Sequence, residues 1–187
     1  MNGSAVTGGV ATGAGAPAPF PRGRVLAVDW GERRVGLAVS DPLGIIASPA
    51  GAILRRPGKR PPIAELVRRA EALEAAAFVL GLPLDGAGED TPRAVEVRRV
   101  GEELTKRTGL PVRLVDERYT TAAALRAMRE MGASTRGRKE DVDALAAAVL
   151  LRHALSLLAN EEAAAQAGAP SPPPVQGAEP SGAPAAE

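Results

Sequence analysis

The chain has no cysteine and a single histidine, His153. The first absence excludes disulfides, thiolate catalysis and zinc-thiolate sites, and the second excludes His-rich metal centres. Aromatic residues are only 2% of the 187 residues (Phe20, Trp30, Phe78 and Tyr119), too few for a base-stacking platform. Contact with nucleic acid would therefore be directed mainly at its backbone. No basic, apolar leader pattern opens the chain, and the longest unbroken apolar run, Ala144 to Leu151, is well short of the roughly 20 residues that span a bilayer. A cytoplasmic protein with no membrane partner is expected.

What remains is an ordinary globular composition, 45% hydrophobic and 24% charged, with a net charge of +1. Both ends are low in complexity and rich in Ala, Gly and Pro, so residues 1–22 and 159–187 are expected to be disordered tails around one domain, residues 23–158. That domain holds 22 Lys and Arg against 18 Asp and Glu, a mildly basic balance compatible with a polyanionic partner. Such a balance is equally common on solvated surfaces.

The order of elements follows from hydrophobic patterning. Arg24–Asp29 and Arg34–Ser40 form a hairpin about a Gly31 turn. Ile45–Leu54 is a third strand, placed at an edge by Pro49. Pro61-Pro62 open a helix to about Ala75, and Ala77–Leu82 is a strand apolar on both faces. Thr91-Pro92 open the next helix, which Gly109 stops after Thr108. A strand at Val112–Val115, a helix at Thr121–Met131 and a last helix at about Glu140–Leu158 complete the domain. The expectation is an α/β protein with a five-stranded mixed sheet flanked by helices, the order used by the RNase H-like fold.

Carboxylates are the chemistry this composition leaves. Asp29 ends an apolar strand, where a charge is costly unless an opposite charge compensates it. It reads either as an acceptor for the Trp30–Arg33 turn or as a ligand of a hard divalent cation. Glu117 follows a strand, at the end where functional groups gather in open α/β sheets, and otherwise reads as an exposed partner of Arg118. Asp143 heads a helical column of Ala146, Ala147 and Leu150, whereas Asp141 is better explained by the helix dipole. Three such carboxylates can hold two Mg²⁺ or Mn²⁺ ions, and two-metal phosphodiester hydrolysis then needs no general-base side chain. Arg33 and Arg34, beside Asp29, and Arg136, Arg138 and Lys139, beside Asp143, are candidate phosphate contacts or simply solvated charges. His153 reads as a helix-surface residue.

Four segments together, Val28–Asp41, Leu80–Gly86, Val115–Thr121 and Asp143–Ala147, resemble the motifs of the YqgF family. Its members are RNase H-like proteins described as Holliday junction resolvases and as nucleases that mature the 5′ end of pre-16S ribosomal RNA. The resemblance spans about Gly23 to Leu158. It implies that Asp29, Glu117 and Asp143 are catalytic and metal-binding, and that Arg118, Thr120 and Thr121 belong to a substrate-binding strand-exit motif. It also implies a nucleic-acid partner, with precursor rRNA favoured over branched DNA and a possible association with ribosome assembly. Whether the protein acts as a monomer or a homodimer is open. Two other functions fit parts of the same pattern. An Asp-x-Gly hairpin occurs in actin-like ATPases and sugar kinases, which need two domains and a further Gly-rich phosphate loop. The fold could equally serve as a non-catalytic RNA- or protein-binding module.

Overall fold

The computed structural model describes residues 20–56, 60–118 and 139–167, with side chains from residue 142 in the last segment. Five strands form one sheet: β1 (Arg24–Trp30), β2 (Arg34–Ser40), β3 (Ala47–Leu54), β4 (Ala75–Leu82) and β5 (Val112–Asp116). Their order is β3-β2-β1-β4-β5, with β2 antiparallel to both neighbours and β4 and β5 parallel to β1. This is the RNase H-like arrangement expected from the sequence. The helix expected at Thr121–Met131 lies outside the described residues.

Helices α1 (Ile63–Ala72) and α2 (Pro92–Thr108) cover one face. α2 is delimited as its sequence predicts. Thr91 caps it by accepting the Ala94 N–H at 3.1 Å, Pro92 occupies the first turn, and Gly109 takes the left-handed conformation (φ 71°) that ends it. The face beneath packs large side chains, among them Leu26, Trp30, Phe78, Leu80, Leu66 and Leu104. Helix α3 (Lys139–Ala167) covers the other face. Here the contacts are small: Val25, Ala27 and Ala38 from the sheet meet Ala147, Leu151 and Ala154.

β1 and β5 each run one residue further than expected, to Trp30 and Asp116, α1 ends at Ala72 and not about Ala75, and three further boundaries also differ. β3 begins at Ala47 and not at Ile45, because the Asp41 carboxylate takes the Ile45 and Ile46 N–H groups at 2.7 Å each and holds them in a turn. These N–H bonds, with that of Leu43, hold the Asp41 carboxyl below its ordinary value. β4 begins at Ala75, directly after a turn in which Glu74 adopts φ 52°. α3 continues past Leu158 to Ala167, into the stretch expected to be disordered. Residues 160–167 are Asn, Glu, Ala and Gln, most of them good helix formers, and Glu161 pairs with Arg113 on β5. By length and composition, Val142–Ala167 within α3 would suffice to cross a membrane, although the apolar run inside it is short; half of its most apolar window is buried in the protein.

Candidate active site

Side chains alternate across a strand, so Val25, Ala27 and Asp29 of β1 face α3. Asp29 is completely buried. Its two neighbours across the sheet are both glycine. Gly36 of β2 stands opposite it, and Gly81 of β4 lies one step beyond the Val28↔Leu80 pair in the parallel register. Each glycine clears a path for another carboxylate. A Cβ at Gly81 would lie 1.5 Å from Oε1 of Glu117, so that carboxyl group occupies the space a side chain would need. A Cβ at Gly36 would lie 2.1 Å from the backbone carbonyl oxygen of Asp143, so the first turns of α3 rest directly on the β2 backbone. Laterally adjacent positions in a sheet are roughly 5 Å apart, and the two glycines thereby gather three acidic residues along one row.

Glu117 and Asp143 are buried like Asp29, at 1% and 0% exposure. The Glu117 N–H donates to the Leu82 carbonyl at 3.2 Å, which carries the β4–β5 ladder one residue past the strand and fixes where the side chain departs. Such burial removes the reading of Glu117 as an exposed surface charge. As for Asp29, the turn N–H of Gly31 goes to its backbone carbonyl at 3.0 Å. Arg34, the first residue of β2, brings Nη1 to 3.9 Å from Oδ2 of Asp143. Arg33 is exposed in the turn and its carbonyl accepts the Arg55 N–H at 2.8 Å.

Arg118 is held by Asp116. Its backbone N–H and its Nε donate to Asp116 Oδ1 at 2.9 and 3.1 Å, and Nη2 reaches Oδ2 at 2.7 Å. The side-chain hydrogen bond from Arg118 keeps the Asp116 carboxyl below its usual value. Arg118 also lies over the 83–90 loop, where a Cβ at Gly88 would stand 2.9 Å from Nη1. That loop does not serve as a phosphate cradle: Asp85 accepts the Ala87, Gly88 and Glu89 N–H groups at 2.8 to 3.0 Å. Among the described residues, the hairpin is therefore not accompanied by the second loop that the ATPase and kinase reading requires.

The turn after Asp29 is clamped from the opposite face. Arg55 lies over the Trp30 ring, 4.5 Å from its centroid, and its Nη1 donates to the Gly31 carbonyl at 2.7 Å. Its Nη2 pairs with Glu96 of α2 at 2.5 Å. Arg55, Gly36 and Gly81 were not among the sequence candidates. The glycines carry a signal, since glycine in a strand interior often marks close approach of another group. Thr120, Thr121, Arg136 and Arg138 lie outside the described residues, as does the side chain of Lys139. His153 is exposed on α3, as expected.

Three carboxylates are hard oxygen donors suited to Mg²⁺ or Mn²⁺, and the two glycines leave room for them beside Asp29. The residues fit such ions in donor chemistry and in cleared space, although as placed no three acidic or imidazole side chains among the described residues already form a closed metal-binding group. The fold and site define an RNase H-like protein with a buried acidic row at the end of its central strand. A family model described as RuvX, Holliday junction resolvase, matches residues 23–157. The chain belongs to this RuvX family, the one its motifs resemble under the name YqgF. A relative from Koribacter versatilis named "Putative pre-16S rRNA nuclease" is 43% identical over 130 residues, 70% of this chain and 84% of its own. A relative of the same name from Clavibacter michiganensis is 39% identical over 133 residues, 71% of this chain and 83% of its own. Among solved structures, the T. thermophilus RuvC complex with a Holliday junction superposes with a TM-score of 0.48 at 15% identity, covering 74% of this chain and 97% of that one.

Proposed function

We propose that this chain is a metal-dependent endonuclease that hydrolyses phosphodiester bonds in precursor 16S rRNA, at the 5′ end, in the cytoplasm during ribosome biogenesis. The observation that carries the reading is the placement of Asp29, Glu117 and Asp143 along one row, with glycine on both sides of Asp29. Asp29, Glu117 and Asp143 would hold Mg²⁺ or Mn²⁺, two ions being the expected number. When bound, such ions activate water and stabilise the charge on the leaving oxygen.

The protein's own share is positional. β1 carries Asp29 and the end of β5 carries Glu117, both on a backbone that hydrogen bonding to β4 keeps rigid, and the contact at Gly36 fixes the height of Asp143 above it. Arg118, the residue after Glu117, has its guanidinium on Asp116 over the 83–90 loop, and Arg33 has an exposed one in the turn after Asp29; these are the groups that would meet substrate phosphates. The names of the curated relatives favour ribosomal RNA. The family's own description favours a second substrate, four-way DNA.

The test incubates wild type and Asp29→Asn with Mg²⁺ or Mn²⁺ on a precursor 16S 5′ segment and on a four-way junction. Cleavage of the RNA by wild type alone is the expected result. Junction cleavage without RNA cleavage moves the assignment to the second substrate, and no wild-type cleavage of either at saturating metal overturns the nuclease reading in favour of a non-catalytic module.

A further inference from the structure

We infer that Arg34 is an internal counter-ion for Asp143 which a divalent cation replaces, so that this arginine sets how tightly the acidic row holds metal. The inference rests on the proposed metal-dependent reading. Arg34 shares the parity of Gly36 and Ala38 along β2 and therefore faces α3 with Asp29. Its Nη1 is buried and makes no hydrogen bond among the described residues, yet stands 3.9 Å from Oδ2 of Asp143. That distance is within Coulombic reach and beyond hydrogen-bond length.

Arginines that serve as permanent partners in this molecule look different. Arg98 grips Asp90 with two bonds of 2.8 and 2.9 Å, and Arg69 reaches Glu65 at 3.0 Å. Arg34 supplies charge without that grip. Its side chain is also 29% exposed and leaves from a turn whose Glu32 and Arg33 are at the surface, so the head has a route to solvent. A divalent ion at Asp143 repels a guanidinium this close, so ion and arginine weaken one another reciprocally. On displacement the guanidinium becomes available to phosphate at the rim of the site, coupling metal entry to substrate contact.

Isothermal titration of the full chain with Mn²⁺, without nucleic acid, tests this. Arg34→Met is expected to bind Mn²⁺ about tenfold more tightly than wild type, because one competing positive charge is gone. Arg34→Lys, which keeps the charge, is expected within about threefold of wild type. Arg68→Met removes the same net charge from the exposed side of α1 and should leave the affinity unchanged. Without metal, Arg34→Met should melt below wild type, a loss that a general structural defect would share; tighter Mn²⁺ binding is the readout it would not. Arg34→Gln repeats the comparison with a polar side chain if the Met variant does not fold. Wild type that binds Mn²⁺ beside Met and Gln variants that bind equally or more weakly overturns the role of Arg34 alone. Absence of Mn²⁺ binding by wild type overturns the metal-dependent reading itself, and this inference with it.

Discussion

The two faces of the sheet are filled by side chains of different size. Under α1 and α2 the packing is thick and aliphatic or aromatic, with Trp30, Phe78, Leu80 and Leu104 fully buried. Under α3 it is thin, with alanine meeting alanine and glycine meeting backbone. The thick face carries most of the apolar burial, the dominant favourable term in folding. The thin face lets a helix descend onto the β2 backbone and deliver Asp143 beside Asp29. Stability and the proposed chemistry thus fall on opposite sides of one strand, β1, whose alternate residues face each in turn.

Asp29→Asn strikes the thin face hardest. Cleavage should fall by about 10³-fold or more, as when a group that stabilises developing charge is lost. Melting in metal-free buffer should be unchanged or higher, since one of three neighbouring buried negative charges is gone. Single-turnover assays beside thermal melts check both, and cleavage within tenfold of wild type would remove Asp29 from the reacting set.

A paired glycine test separates the faces. Gly36→Ala places a methyl 2.1 Å from the Asp143 carbonyl, forcing α3 outward, and should cost about 2 to 3 kcal/mol in urea denaturation together with a large loss of cleavage. Gly101→Ala, on α2 above the thick face, meets Val112 Cγ1 at 3.3 Å. There the gain in helix propensity, about 1 kcal/mol, offsets the tight contact, and cleavage should be retained. Equal losses at the two glycines would break the comparison.

Gly81→Ala is gentler on the fold, because the atom it meets is the end of the Glu117 side chain and not backbone. The expected cost is about 1 kcal/mol, with cleavage down roughly tenfold or more as Glu117 is pushed from the row. Denaturation and initial-rate measurements separate the two effects.

The smallest effect concerns Asp116. Arg118 holds its carboxyl below the usual value of 3.8, so the pair stabilises the fold above that value and ceases to do so as pH falls through the lower folded one. Asp116→Asn should lower the melting temperature by about a degree near pH 7, a difference that closes below about pH 4. Melting curves from pH 7 to 3 follow it.

Much of this was legible in the sequence for identifiable reasons. The limits of α2 were written in Thr91, Pro92 and Gly109, whose effects are local. Asp29 was conspicuous because a charge in an apolar strand needs a reason. Gly36 and Gly81 were not, since each looks like a weak point in its strand until the groups packed on them are seen. The start of β3 is not legible in the pattern of apolar residues, because the Asp41 carboxylate competes for its first amides across the turn. The end of α3 is hidden by the Ala, Gly and Pro content of residues 159–187 as a whole, although the first third of that stretch is made mostly of helix formers. Roles given to Thr120, Thr121, Arg136 and Arg138 rest on sequence alone.

The indole beneath Arg55 gives the molecule a built-in reporter. Trp30 is the chain's single tryptophan, it adjoins Asp29, it is 1% exposed, and its N–H makes no hydrogen bond among the described residues. Its emission therefore originates from one place, the turn that carries Asp29, in a dry setting with a cation 4.5 Å above the ring. Any event that tugs on that turn changes the colour or intensity of the light without a label. Opening of the site and loss of the whole fold can then be followed on the same optical channel, the first as a partial change and the second as a full shift to the red.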